Sequence, residues 1–260
     1  MKKSLTFAVF ALLLLASCKN EVTDTKVASK TEPSTEIHFY TSDSIKVYGD
    51  LYQKDTSAPT LLIFHQGGSN TRAEYKSIIP VLEQKGFNIL TIDQRVGGQY
   101  YYGGYNRTVA EIPNNQYHYC DAYPDMLAAM DYLKASNFTG KVILWGSSYS
   151  ATLALKLAQE NLDKVSGILI FSPASGQAMK DCQPDAYLQS LDIPLLLMKP
   201  ASEMQSERSQ NQMQLAKEHG HDTYIAENGV HGSSMLDEDR IKGSSADTWN
   251  VVNTFLSQFE

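Results

Sequence analysis

The sequence predicts an α/β fold in which a doubly wound, mostly parallel β-sheet carries helices on both faces. Three observations lead to this prediction. Short β-rich segments alternate with amphipathic segments of helical periodicity over residues 36–260. The segment at 60–64 carries four consecutive apolar residues, as expected of a strand that is buried on both faces. Strands that are separated by helical crossovers pair in parallel, which favours one parallel sheet.

The individual elements follow from local patterns. Residues 36–41 and 44–52 alternate polar and apolar side chains, which predicts two strands joined by a turn at Ser42 and Asp43. Further strands are predicted at 60–64, 87–92, 142–145, 165–171, 193–198 and 222–226. Apolar residues at helical spacing predict helices at 72–85, 124–135, 148–160, 205–219 and 246–259. Ligands bind at the carboxyl ends of the strands in such sheets, so functional residues are expected in the loops that follow them.

Composition excludes several classes of function. The chain has 260 residues, a formal net charge of −7 and three cysteines. Nucleic-acid binding is not expected, because affinity for a phosphate backbone comes mainly from clustered Lys and Arg. Three cysteines do not support a four-cysteine metal site. The His219-Gly220-His221 segment has no third ligand at helical spacing, so neither a metal nor another cofactor is predicted. The oligomeric state is left open.

The first eighteen residues predict export. A basic start is followed by an almost wholly apolar segment at 7–16, too short for a permanent transmembrane helix but typical of a signal peptide. The small residues before Cys18 resemble the bacterial lipoprotein cleavage box, in which that cysteine becomes the acylated N-terminus. We therefore expect a signal peptide at 1–17, a lipid anchor and flexible tether at 18–35, and one domain at 36–260. This predicts membrane attachment in the bacterial cell envelope, on the periplasmic or the outer-surface face. An ordinary secretory signal is the alternative.

A nucleophile is predicted at Ser148. The sequence Gly146-Ser147-Ser148-Tyr149-Ser150 lies directly after the strand at 142–145 and before a helix. A nucleophile elbow needs small residues two positions before and two after its serine, because the backbone turns sharply there. Gly146 and Ser150 meet that need, although glycine usually occupies the second position. The alternative is a turn that only caps the helix.

The base and the acid are expected in two later loops. His231 follows the last predicted strand, where a Ser–acid–His order requires its base, and a serine hydroxyl needs a nearby imidazole to accept its proton. An imidazole in turn needs a carboxylate to hold its tautomer. Glu203, in the loop after the strand at 193–198, is the predicted acid. Asp181 and Asp185, in the preceding loop, are its rivals.

The oxyanion hole is predicted from the loop after the strand at 60–64. Such a site needs two backbone N–H groups that point at the developing negative charge. Tyr149, the residue after the nucleophile, is expected to supply one. Gly67 is expected to supply the other, with Gln66 as the alternative, because glycine allows a close approach of the backbone. His65 is expected to support this loop by hydrogen bonding.

Together these motifs resemble those of the α/β-hydrolase superfamily, over nearly all of residues 36–260. The chain is most similar to dienelactone-hydrolase-type proteins and small carboxylesterases, which implies that there is no large cap domain. The resemblance implies a serine hydrolase that cleaves small-molecule carboxylic esters through an acyl-enzyme. A His-Gln-Gly-Gly loop stands where His-Gly is usual, and the acid is Glu rather than Asp. A peptidase, an acyltransferase or a tethered binding protein without turnover are the alternatives.

A tyrosine-rich loop is predicted near this site. Seven of the fifteen tyrosines lie between Tyr100 and Tyr123, in a segment of about 25 residues without periodicity. Its rings offer apolar area with a hydroxyl group, which suits a lid or a pocket wall. The alternative is a surface loop whose rings pack on each other. The substrate-binding candidates are Tyr100, Tyr101, Tyr102 and Tyr105.

Two further pairings are expected around this loop. Cys120 and Cys182 both belong to the active-site end of the sheet, so a disulfide between them is expected if the protein is exported, with two free thiols as the alternative. Asp93 and Arg95 are expected to form a structural ion pair at the end of their strand.

Overall fold

The structure is a computed structural model that describes residues 33–114 and 116–260. The predicted signal peptide, the predicted anchor Cys18 and the tether up to residue 32 lie outside the described residues. Within the described ranges, no helix combines the length and the apolar character that a membrane crossing requires.

A single twisted sheet organises the described residues. Its strands lie side by side in the order β1-β2-β4-β3-β5-β6-β7-β8, where β1, β2 and β4 pair antiparallel and the remaining neighbours pair in parallel. The predicted mostly parallel sheet is therefore confirmed. The strands are β1 (Thr35–Tyr40), β2 (Lys46–Tyr52), β3 (Thr60–Phe64), β4 (Asn88–Asp93), β5 (Val142–Ser147), β6 (Val165–Phe171), β7 (Leu195–Pro200) and β8 (Asp222–Ala226).

Helices cover both faces of the sheet. One buried cluster packs α4, α5, α6 and α7 against the face that carries Leu62 and Leu144. A second cluster packs α2, α8 and the segment between α1 and α2 against the face that carries Ile63 and Trp145. Burial on both faces explains why the central strands are apolar at successive positions. The helices are α1 (Thr71–Glu74), α2 (Ile79–Glu83), α3 (Arg107–Ala110), α4 (Tyr123–Ala135), α5 (Tyr149–Gln159), α6 (Asp185–Ser190), α7 (Glu207–Glu218) and α8 (Ala246–Leu256).

The predicted helix at 72–85 is wrong in one respect, since the structure divides it into α1 and α2. Pro80 lies in the first turn of α2. Proline has no backbone N–H and clashes with the preceding turn, so it is tolerated at the start of a helix and not in its interior. The apolar spacing was correctly read, because Tyr75, Ile78 and Leu82 are all buried in the core. The short helix α6 was not predicted.

The predicted ion pair between Asp93 and Arg95 is also wrong, although both residues are structural. Asp93 instead pairs with Arg107 at 2.7 Å, and Arg95 pairs with Asp125 at 2.8 Å and with Asp43. Asp93 ends β4 and accepts from Thr71 and Arg107, whereas Arg95 in the following loop donates to Asp125 of α4. These buried pairs fix the first part of the tyrosine-rich loop at the carboxyl edge of the sheet, because Arg95 precedes the loop and Arg107 lies within its first half.

Candidate active site

Ser148 lies at a sharp turn between β5 and α5. Its backbone has a φ of 61° and a ψ of −119°, a left-handed conformation that a side chain rarely adopts and that is characteristic of strained functional sites. A Cβ atom at Gly146 would lie 2.6 Å from the carbonyl oxygen of Ser150, so only glycine fits this position. The Ser148 N–H donates to the carbonyl of Phe171 at 2.9 Å, which fixes the turn against β6.

Ser150 shows why serine is accepted where glycine is usual in this pattern. Its hydroxyl accepts the N–H of Ser147 at 2.9 Å and lies 2.9 Å from the carbonyl oxygen of Phe64 at the end of β3. The Ser150 side chain is fully buried, so these hydrogen bonds satisfy a group that would otherwise be costly to bury. The serine at this position therefore connects the turn to the neighbouring strand β3 through a hydrogen bond that glycine could not make.

Glu203 and His231 are in direct contact. His231 Nδ1 lies 2.6 Å from Glu203 Oε1, and Glu203 stands in a 3-10 turn directly after β7. Among the described residues, neither Asp181 nor Asp185 bonds to His231. Burial opposes ionisation of Glu203, but the hydrogen bond from His231 and the charge of Lys199 hold the pKa of this carboxyl below its ordinary value. The carboxylate is therefore ionised beside the imidazole.

The loop that carries His231 is fixed against the strand of Ser148. The N–H of Ser233 donates to Ser147 Oγ at 3.0 Å, and the N–H of Gly232 donates to Ser172 Oγ at 3.1 Å. Gly232 has a φ of 70°, and a Cβ atom there would collide with the Ser147 hydroxyl. These contacts bring His231 to the same end of the sheet as Ser148, and half of its side chain stays open to solvent.

The carbonyl of the peptide group between Gln66 and Gly67 is held by His65, whose ring is itself fixed by Gln94. His65 Nδ1 lies 2.8 Å from the carbonyl oxygen of Gln66, and His65 Nε2 accepts the N–H of Gln94 at 3.0 Å, which assigns the proton to Nδ1. Burial lowers the pKa of His65, in agreement with a neutral ring. The N–H of Gly67 points away from this fixed carbonyl, since a trans peptide directs the two groups in opposite directions.

Gln66 is not available as the alternative oxyanion donor in this arrangement. Its N–H donates to Glu74 Oε2 at 2.8 Å. Within the described residues, the N–H of Gly67 donates to no protein group. Tyr149 opens α5, and the first N–H groups of a helix have no acceptor inside it. Gly67 and Tyr149 therefore offer two free backbone donors near Ser148.

An aromatic stack supports these two donors. The rings of Tyr119 and Tyr149 are stacked with centroids 4.8 Å apart. The Tyr149 hydroxyl donates to the carbonyl of Val96 at 2.7 Å. A Cβ atom at Gly67 would lie 2.8 Å from the ring of Tyr119, so the loop fits closely against the stack. The next residue, Cys120, forms a disulfide with Cys182 and thereby anchors Tyr119.

The tyrosine-rich loop contacts both the loop at 65–68, here called the oxyanion loop, and the loop that carries His231, here called the histidine loop. The N–H of Tyr101 donates to the carbonyl of Gly68 at 2.9 Å, and Ser234 Oγ donates to the Tyr102 hydroxyl at 2.8 Å. The ring of Tyr100 packs edge-on against Tyr101 and is 83% exposed. Tyr105 is exposed as well. Three of the four candidate tyrosines thus gather beside the site.

Several residues of the site were missed by the sequence analysis. Lys199 is buried, and its Nζ lies 3.4 Å from Glu203 Oε2; burial lowers the pKa of this amine. Ser172 accepts from the histidine loop, and Glu74 accepts from the oxyanion loop. The sequence around these three residues does not predict their roles, because each role depends on contact with an element that is distant along the chain. In the described ranges, no three His, Cys, Asp or Glu side chains converge on a metal site.

The arrangement has the parts of an acyl-transfer site. A serine in a strained turn, an imidazole bonded to a carboxylate and two free backbone donors all lie at the carboxyl edge of the sheet. Such parts supply a nucleophile, a base and stabilisation of a negative charge on oxygen.

Comparison with known proteins agrees with this architecture. Among solved structures, the Pyrococcus furiosus esterase Pf2001 is 17% identical, with a TM-score of 0.64 over 87% of this chain and 91% of the esterase. Est1E from Butyrivibrio proteoclasticus is 11% identical, with a TM-score of 0.62 over 87% of this chain and 98% of Est1E. The Pyrococcus horikoshii acylaminoacyl peptidase is 14% identical, with a TM-score of 0.63 over 88% of this chain and 42% of the peptidase. At these identities the likeness shows a shared fold.

Family membership rests on the sequence itself. No curated protein matches the chain. The family model described as the alpha/beta hydrolase fold matches residues 59–193, from β3 through the strand before the Ser148 turn to the loop that precedes β7. This segment contains the oxyanion loop, the Ser148 turn and the tyrosine-rich loop. The chain belongs to the alpha/beta hydrolase family.

Proposed function

We propose that the protein is a serine hydrolase that cleaves carboxylic esters of small molecules, in the manner of dienelactone-hydrolase-type proteins and small carboxylesterases. Ser148 is its nucleophile, His231 its base and Glu203 the acid that orients the base. The observation that carries the proposal is the 2.6 Å contact between His231 and Glu203 in the loops next to the strained Ser148 turn. The structural likeness to esterases supports the same reaction class.

The reaction proceeds in two halves. Ser148 Oγ attacks the ester carbonyl carbon while its proton passes to His231, and the N–H groups of Gly67 and Tyr149 stabilise the oxyanion. His231 then protonates the departing alcohol, which leaves an acyl group on Ser148. Water attacks this acyl group with His231 again as base, and the carboxylic acid is released. Glu203 stays ionised throughout and stabilises the imidazolium.

The tyrosine-rich loop is proposed to form one wall of the substrate site. Tyr101 and Tyr102 contact the oxyanion loop and the histidine loop respectively. Tyr100 adds an exposed ring next to Tyr101. Aromatic surface beside the reacting carbonyl favours ester groups with apolar or ring-containing parts.

The test is hydrolysis of short p-nitrophenyl esters by the wild type and by Ser148→Ala. Loss of the nucleophile is expected to lower kcat/KM by about a thousandfold or more. Ser257→Ala, which removes an exposed hydroxyl after α8, serves as the matched control. Full activity of a folded Ser148→Ala variant contradicts the proposed nucleophile.

A fluorophosphonate probe separates the remaining alternatives. Labelling that is lost in Ser148→Ala supports an active nucleophile, whereas no labelling of folded wild type favours a binding protein without turnover. Amides and acyl acceptors run beside the esters distinguish a peptidase or an acyltransferase, which would use the same three side chains.

Export as a lipid-anchored envelope protein is a separate proposal. It rests on the apolar segment at 7–16 and on the small residues before Cys18. In a bacterial host, metabolic labelling with palmitate is expected for the wild type and not for Cys18→Ser. Equal labelling of both contradicts the anchor.

A further inference from the structure

Lys199 places a positive charge where the sheet otherwise buries apolar side chains. It is the last residue but one of β7 and lies in register with Ile225 of β8. Side chains alternate between the two faces of a strand, so Lys199 shares its face with Leu195 and Leu197, which are part of the apolar core. Only 3% of Lys199 is exposed. A buried charge is costly unless a partner offsets it, so a lysine at this position requires a compensating group.

The compensating group is the carboxylate of Glu203. Lys199 Nζ lies 3.4 Å from Glu203 Oε2, and in the described residues no other carboxylate pairs with this amine. Burial lowers the pKa of Lys199, whereas the charge of Glu203 favours the protonated amine. Because Glu203 is ionised, the two side chains face each other as an ion pair at the end of β7.

The two oxygens of Glu203 have different partners. Oε1 lies 2.6 Å from His231 Nδ1, and Oε2 faces Lys199. The hydroxyl of Ser172 also favours the ionised carboxylate, and it accepts the N–H of Gly232 in the histidine loop. A carboxylate that is held at both oxygens keeps one orientation, so Oε1 stays directed at the imidazole.

The charge of Lys199 also acts on the imidazole. Glu203 attracts a proton to His231, and Lys199 offsets part of the negative charge that does so. The free enzyme needs a neutral His231 to accept the proton of Ser148, so the protonated imidazole is inactive. A nearby cation disfavours this protonated form. The active form therefore persists to lower pH when Lys199 is present.

We propose that Lys199 is a positioning residue of the active site, which holds Glu203 directed at His231 and extends ester hydrolysis to lower pH. This inference rests on the proposed ester hydrolysis. It adds to that reaction a residue that acts through Glu203 and takes no proton from the substrate or the nucleophile.

The test is the pH profile of kcat/KM for p-nitrophenyl acetate between about pH 4.5 and about pH 9, in the wild type and in Lys199→Met. Methionine has a flexible apolar side chain without a charge, so it suits this buried position. The midpoint of the acidic limb is expected to lie about one pH unit higher in Lys199→Met, which is about a tenfold loss of kcat/KM on that limb. The midpoint is the readout, because partial loss of active enzyme lowers the profile without moving it.

Two further variants assign the shift to the charge of Lys199. Lys199→Arg keeps the positive charge, so its midpoint is expected to lie closer to the wild type than to Lys199→Met. Lys217→Met removes the same charge from the exposed last turn of α7 and is expected to keep the wild-type midpoint. Two other charged groups face the site and are present in every variant: Glu74, whose carboxyl senses the charge of His231, and Arg208, which lines the cavity beside Glu203.

A midpoint of Lys199→Met that equals the wild-type midpoint overturns the inference. An equal shift in Lys199→Arg or in Lys217→Met overturns it as well, because the shift would then not come from the charge at this position. If Lys199→Met does not fold, Lys199→Gln gives the same comparison, since its amide is polar and carries no charge.

The two proposals fail in different ways. If folded wild type hydrolyses no ester at any pH, the proposed function fails. If it hydrolyses esters and the acidic limb does not respond to the charge of Lys199, the proposed function stands and the role of Lys199 alone is wrong.

Discussion

Replacing Glu74 by glutamine is expected to remove a large pH-dependent loss of stability. Glu74 is completely buried under the oxyanion loop. Its Oε2 accepts the N–H of Gln66, while its Oε1 and the Oε1 of Gln66 have no hydrogen-bond partner among the described residues. Burial raises the pKa of Glu74 to about 7, although the Gln66 N–H and the charge of Arg240 act in the opposite direction.

The size of the effect follows from the difference between the pKa of Glu74 in the folded protein and its pKa in the unfolded chain. The pKa rises from an ordinary value of 4.5 to about 7, so the folded protein holds this proton more tightly than the unfolded chain does. Stability that the protonated carboxyl contributes is therefore present below pH 4.5 and is lost as the pH rises towards 7. At about 1.4 kcal/mol per pKa unit, the loss in free energy of unfolding is about 3 kcal/mol. A glutamine does not ionise, and its amide still offers an oxygen to the Gln66 N–H.

The assay is urea unfolding of the wild type and of Glu74→Gln at about pH 4.5 and about pH 8.5. Asp125 also has a raised pKa, about 6, so only the difference between the two proteins isolates Glu74. The free energy of unfolding of Glu74→Gln minus that of the wild type is expected to be about 3 kcal/mol larger at the higher pH than at the lower pH. Glu227→Gln, at an exposed position, should follow the wild type. Parallel pH dependence of Glu74→Gln and the wild type would refute this reasoning.

Three other perturbations test separate parts of the structure. Gly67→Ala forces a methyl group against the ring of Tyr119, which should displace the oxyanion donor and lower kcat/KM for p-nitrophenyl acetate by about a hundredfold; unchanged kinetics would remove Gly67 from the mechanism. Replacing both Cys120 and Cys182 by serine releases a cross-link over 62 residues and should lower the free energy of unfolding by about 4 kcal/mol in urea titrations. Wild type in reductant should then match this double variant, and a mismatch would count against the cross-link. Asp93→Asn places an amide NH₂ group against buried donors of Thr71 or Arg107, which both oxygens of Asp93 now accept, and should cost about 3 kcal/mol, measured in the same way; a loss below about 1 kcal/mol would contradict the importance of these contacts.

The parts of the fold that were predictable are those with a local physical signature. Buried parallel strands require apolar residues at successive positions, so β3 and β5 were recognisable without their partners. Functional loops are expected after such strands, and this expectation selected the candidates Ser148, His231 and Glu203, whose loops lie at the same end of the sheet in the structure. Small residues around Ser148 were informative because the backbone turn allows no others.

The parts that were not predictable depend on distant contacts. Glu74 lies in a segment with helical spacing, where a carboxylate normally faces solvent, yet here α1 turns it under the oxyanion loop. The partner of Asp93 is Arg107, which lies 14 residues later along the chain, within the tyrosine-rich loop. Pro80 is a local signal for the break between α1 and α2, but the prediction of one helix at 72–85 followed the apolar spacing instead.

The disulfide next to Tyr119 has a consequence for the proposed hydrolase if the proposed export also holds. Tyr119 packs on both free oxyanion donors, through its stack on Tyr149 and its close fit to Gly67. Cysteines stay reduced in a bacterial cytoplasm and are oxidised after export. If the chain is exported and hydrolyses esters as proposed, Ser148, His231 and Glu203 are in place before this disulfide forms. Ester hydrolysis is then expected to reach its full rate only after export, when the disulfide has formed, so that oxidation activates the precursor.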